Sequence, residues 1–194
     1  MDKRFITLAS GSLMVIACIF YITSNALPSW SVKTFDASIL GFLEPKHLPK
    51  AQFGLAESSI GLWRVCLTVV EVQICYGDVS SCESIKGELA SACHKMLAAR
   101  SFVTLACIFS AISGICLFAC LLESINKNTN VITMIKIIPI ICFIIGIIGL
   151  ALGISYTTVT GPEIISMSLG AGAILAIIAV ILNLIGVILA LTIR

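Results

Sequence analysis

Nine cysteines in 194 residues are the side chains with the most chemistry to offer, and what each can do depends on the side of a membrane it faces. Cys66, Cys75, Cys82 and Cys93 fall in the one long polar stretch, where four thiols in an oxidising compartment allow three disulfide connectivities. Val65, Leu67 and Val69 alternate with Arg64, Cys66 and Thr68, and Val72, Ile74 and Tyr76 alternate with Glu71, Gln73 and Cys75, which is the period of β-strands. If the two strands pair with Cys66 opposite Cys75, the thiols meet at a separation a disulfide can bridge. Trp63, Val65, Leu67, Val69, Val72, Ile74 and Tyr76 then make one apolar surface on the reverse side. That register leaves Val70-Glu71 for the turn, without the Asn-Gly or Gly chemistry of a tight hairpin, so a looser connection stays open.

Ser80 to Glu83 reads as a capping box opening a helix with Ile85, Leu89, Cys93 and Met96 along one face. A helix through both cysteines would hold Cys82 and Cys93 about 16 Å apart, against a bridging limit of ~7 Å. The regular helix is therefore expected to begin near Gly87, with Cys82 folded back and bonded to Cys93. Cys116 and Cys120, one helical turn apart, are candidates for S-acylation, with buried thiols packing among helices as the plainer reading. Cys18, Cys107 and Cys142 lie in apolar spans and need no special role. His47 and His94 form no nucleophile or metal pattern, and Glu57, Glu71 and Glu83 read as a hydrated face. No enzyme, metal site or cofactor is expected.

The elements that position these residues follow from composition. The chain is 59% hydrophobic and 11% charged, with a net charge of +2, too apolar for an ordinary water-soluble domain and too weakly basic to suggest nucleic acid. Four apolar runs are long enough to cross about 30 Å of hydrocarbon. The expected crossings are 5–27, 98–122, 132–154 and 167–193, with an outside loop at 28–97, a cytoplasmic loop at 123–131 and a second outside loop at 155–166. Lys3, Arg4, Lys127 and Lys136 place both termini and the short loop in the cytoplasm. A cleaved signal peptide ending at Ser24-Asn25-Ala26 is the rival reading of the first run, which is longer than the usual apolar core of such a peptide. Arg100, at the mouth of the second crossing, has a stem long enough to carry its guanidinium to the interface. Pro139 is expected in the first turns of the third crossing. Gly149 and Gly153, with Gly170, Gly172 and Ala176, offer small faces for close helix packing, and Asn183 is expected to hydrogen-bond a neighbouring helix.

Trp30, then Gly61-Leu62-Trp63, then Cys66 and Cys75, with Ala98-Ala99-Arg100 and Leu169-Gly170-Ala171, resembles the signature of the claudin and peripheral-myelin-protein superfamily. The resemblance implies a four-helix transmembrane bundle carrying a small extracellular antiparallel β-sheet. It also implies a Cys66–Cys75 bond, and both tryptophans buried where the sheet meets the membrane. This sequence departs from the pattern in an insertion around Gly41 to Gly54, in Tyr76 after Cys75, in a short second loop, in Cys82 and Cys93, and in the expected lack of a tail beyond Arg194.

The reading that follows is a plasma-membrane protein, lodged in lipid, that associates with its own copies and, through its extracellular sheet, mediates contact between cells or forms a junction or paracellular barrier. An auxiliary subunit of a channel or receptor is the alternative.

Overall fold

A computed structural model gives the fold and describes residues 3–36, 55–69, 72–77, 82, 88–121, 129–159 and 168–193. The Gly41 to Gly54 insertion, His47, Glu71, Ser80, Ser81 and Glu83 of the capping box, the 70–71 turn, the 123–128 loop and Gly161-Pro162 lie outside the described residues. Four helices, α1 (Lys3–Ala26), α2 (Glu88–Ala119), α3 (Thr129–Val159) and α4 (Ala171–Thr192), form a bundle. Strands β1 (Ser31–Asp36), β2 (Leu55–Ile60), β3 (Arg64–Val69), β4 (Val72–Gly77) and β5 (Ser168–Leu169) form an antiparallel sheet in the order β4-β3-β2-β1-β5. Each helix is long and apolar enough to cross a membrane, the mark of a multi-pass membrane protein.

The burial pattern names the solvent. On α4 the buried face is Gly172, Ala173, Ala176, Ala179, Asn183, Gly186, Val187 and Ala190, recurring every three to four residues. The outward face carries Ile174, Ile178, Ile181, Ile185 and Ile188. Small and polar inside with large and apolar outside reverses the water-soluble pattern and suits hydrocarbon, where small residues let backbones approach. α1 does the same, burying Thr7, Ser10, Gly11, Met14, Ala17, Tyr21 and Ser24. α1 packs on α2 and α4, and α3 packs on the same two.

Side-chain hydrogen bonds close this ring of neighbours. Ser10 Oγ donates to Gly186 O at 2.9 Å, Ser110 Oγ to Met14 O at 2.8 Å, and Cys142 Sγ to Ala106 O at 3.3 Å. Asn183 Nδ2 donates to Cys142 Sγ at 2.9 Å and approaches Tyr21 Oη at 3.5 Å, so the amide spans three helices. Each such bond contributes roughly 0.6 kcal/mol in a membrane setting.

Several boundaries differ from expectation for physical reasons. α2 begins at Glu88, as the helix start expected near Gly87 requires, and runs unbroken into the crossing read as 98–122, two segments that the sequence reading leaves unjoined. Ala92 and Met96 have Ile60 and Tyr156 to pack against above the bundle. α3 runs on to Val159 and takes up the start of the expected second loop. Pro139 lies well inside α3 rather than in its first turns, and is buried; hydrocarbon tolerates this because neighbouring helices support the freed backbone. Ser168-Leu169, expected in the fourth crossing, instead pairs with Ser31 and Val32 as β5.

Trp30 is the wedge between sheet and bundle. It is 1% exposed, its Nε1 donates to Ser24 O at 2.8 Å, and its backbone N donates to Ile60 O at 2.8 Å. Gly153 of α3 and Gly172 of α4 lie under its ring: a Cβ on Gly172 would sit 2.6 Å from Trp30 Cδ1, and one on Gly153 would overlap the six-membered ring. Gly149 serves helix packing as expected, its missing Cβ lying 3.1 Å from the Val103 backbone N. Gly153 and Gly172 serve the indole instead. Gly153→Val is therefore expected to destabilise the protein by about 1–3 kcal/mol through overpacking, read as a lower melting temperature in detergent. Gly77→Ala, where a Cβ meets nothing within 4 Å, should leave the melt unchanged.

Candidate functional site

The sheet end of the bundle gathers most of the residues that the sequence singles out. β3 and β4 pair with Cys66 opposite Cys75, Val65 opposite Tyr76, Leu67 opposite Ile74 and Val69 opposite Val72. A disulfide joins Cys66 to Cys75 with Cα atoms 4.1 Å apart. Cys66 is fully buried and Cys75 exposed, because the first lies between β2 and β4 while the second lies on the outermost strand. A second disulfide joins Cys82 to Cys93 across a Cα separation of 5.9 Å, and both partners are buried. α2 begins only at Glu88, so Cys82 is not part of the helix and can reach back to it.

Gly61, Leu62 and Trp63 connect β2 to β3 and are clamped from three sides. A Cβ on Gly61 would lie 2.6 Å from the Pro28 backbone, which only glycine permits. Leu62 is buried, and its carbonyl accepts from Arg100 Nε at 2.6 Å. The Arg100 guanidinium lies 4.4 Å from the centre of the Trp63 ring, a cation–π contact. This corrects the snorkelling expected of Arg100: its residue is 7% exposed, and the loop comes to the charge instead of the charge reaching water.

The burial expected of both tryptophans is corrected as well. Trp30 is enclosed, but Trp63 is 40% exposed. Its Nε1 donates to Asn25 Oδ1 at 2.8 Å, and Asn25 Nδ2 donates to Thr104 Oγ1 at 3.1 Å, so the indole is held rather than hidden. Two hollows meet at Trp63 and Ala26. One, of about 340 Å³, is lined by Ile22, Ala26, Cys107 and Ile108 together with the polar Asn25 and Thr104. The other, of about 590 Å³, lies against Arg64 and Gly77. Asn25 is the residue the sequence reading passed over, seen there only as part of a cleavage-like tripeptide. An amide at the end of an apolar run was the available signal.

The apolar surface read from strand alternation is present, and much of it is open. Tyr76 is 66% and Ile74 51% exposed, while Val65 and Leu67 are half-buried. β4 has β3 on one side and no described strand on the other, which leaves a free edge.

The remaining candidates sit elsewhere. Cys116 and Cys120 are half-buried at the opposite end of the bundle, against Met14, Leu117, Ile135 and Val187. Cys18 and Cys107, given no role from sequence, bring their Sγ atoms to 3.5 Å between α1 and α2. His94 is exposed on α2. Among the described residues no three His, Cys, Asp or Glu side chains gather as a metal site.

Cys66→Ser removes a short cross-link from a small domain and should cost roughly 2–3 kcal/mol by returning chain entropy to the unfolded state; the expected readout is retention of the variant inside the cell by surface biotinylation. Arg100→Leu leaves the buried Leu62 carbonyl without its donor and should lower the melting temperature by about as much as a loss of 1–3 kcal/mol implies. No model of a known protein family matches the chain, and no curated protein matches it.

Proposed function

We propose that this is a membrane protein of the claudin and peripheral-myelin-protein kind that associates with copies of itself through the sheet, at the plasma membrane and at contacts between cells. The observation that carries this is the β4 edge, open among the described residues, with Ile74 and Tyr76 exposed along it. An edge strand offers unpaired backbone N–H and C=O groups, and a second β4 laid antiparallel would satisfy both sets at once. Exposed aliphatic and aromatic side chains beside those groups add apolar area to the same contact. The resemblance of Trp30, Gly61-Leu62-Trp63, Cys66, Cys75 and Arg100 to the superfamily signature supports the reading. The two disulfides support an oxidising, extracellular or lumenal, position for the sheet, and with it the proposal that both termini are cytoplasmic.

The test is to express the protein in non-adherent cells, score its enrichment where two expressing cells touch, and count copies by cross-linking. Ile74→Lys puts a charge on the exposed edge without touching the core. It should reduce both contact enrichment and cross-linked pairs about tenfold, since tenfold is the ~1.4 kcal/mol that a few lost apolar and backbone contacts supply, and it should leave the melting temperature in place. Monomers evenly spread over the cell surface would overturn the proposal. Recovery in stoichiometric complex with a channel or receptor would instead favour the auxiliary-subunit reading.

A further inference from the structure

We propose that the two hollows beside Trp63 are a single site for one phospholipid, its acyl chain between α1 and α2 and its phosphate on Arg64. This rests on the reading of the bundle as membrane-spanning. The hollows share Trp63 and Ala26, so they adjoin. Both, at about 340 and 590 Å³, fall in the size range of ligand pockets, roughly 300–1,000 Å³.

Their chemistry changes along their length as a phospholipid's does. Ile22, Ala26, Cys107 and Ile108 wall the part that lies along the helices. Arg64 lies at the other part, exposed, and among the described residues no carboxylate pairs with it. A guanidinium matches a phosphate with two parallel hydrogen bonds, and the bilayer surface is where phosphate is abundant. In the wall of the first part, Asn25 gives one amide hydrogen to Thr104 and has a second to offer an ester carbonyl. A sterol would leave Arg64 facing no anion, and an acidic peptide would leave the apolar hollow unfilled.

The site is also preformed. Trp63 is fixed by its bond to Asn25 and by the Arg100 guanidinium on its ring, so binding has little side-chain ordering to do. That rigidity separates a bound lipid from the mobile shell that covers the isoleucine faces elsewhere.

Native mass spectrometry of the full chain released from detergent, with added 1-palmitoyl-2-oleoyl phosphatidylcholine or with the diacylglycerol of the same chains, tests this. One phosphatidylcholine should survive collision energies that strip all other lipid, and the diacylglycerol should be held about tenfold more weakly. Arg64→Gln should erase that preference with the melting temperature unchanged, and Ile108→Trp, which fills the apolar hollow, should lower retention of both lipids. Equal retention of the two lipids, a graded loss of many lipids with none held back, or no effect of Arg64→Gln would each overturn the site. Carbonate extraction of membranes from the same expressing cells, before any detergent, keeps the premise apart: a chain that leaves the membrane fraction sinks the membrane-spanning reading, whereas an embedded chain without lipid preference sinks only the site.

Discussion

Arg100 is a buried guanidinium in α2 at the sheet end of an apolar bundle, so its charge needs a built partner wherever the chain places it. The structure meets that demand with the Leu62 carbonyl and the face of Trp63. Both belong to the three-residue link between β2 and β3, and the same link is pressed against the Leu27-Pro28 backbone at Gly61. A single buried cation therefore sets how far the sheet stands from α2 and which way the half-exposed indole faces. Removing one partner would leave the other polar group stranded, which is why the assembly behaves as a unit rather than as separable contacts.

Below that clamp the bundle is held by different forces. Hydrocarbon gives no reward for bringing isoleucines together, so α4 builds its inner face largely from glycine and alanine with one asparagine and turns its isoleucines outward. Asn183 links α4 to α1 and α3 where a carboxylate or histidine would have carried a charge into lipid. Trp30 is the largest of the buried side chains, and two helices give up a side chain to receive it.

The four apolar runs and the pairing of β3 with β4 were legible because each depends on a local period: length without charge in one case, strict alternation in the other. β2 and β5 were not. Leu55–Ile60 is rich in polar residues with no clean alternation, and its strand state comes from having β1 and β3 on either side. Ser168-Leu169 continues an apolar run, and only its distant partners Ser31 and Val32 draw it out of the helix. The same division holds at the site. Gly61 and Cys66 announce themselves by type, whereas the exposure of Trp63 and the part played by Asn25 follow from which helix ends lie beside one another. That is long-range information with no local trace.

The two borders of the sheet are unequal. On one side β5 is two residues long and leads directly into α4, with Gly170 N and Gly172 N hydrogen-bonded to Trp30 O and Ser29 O. On the other, β4 offers six residues. β5 covers only Ser31 and Val32, so Lys33–Asp36 of β1 has no described strand beside it, and among the described residues the sheet has two open borders of unequal length. Two copies joined at β4 by a twofold axis consume that border alone. Any longer array of this protein would need a second, chemically distinct contact, so the stoichiometry of pairs and the extent of arrays are under separate control.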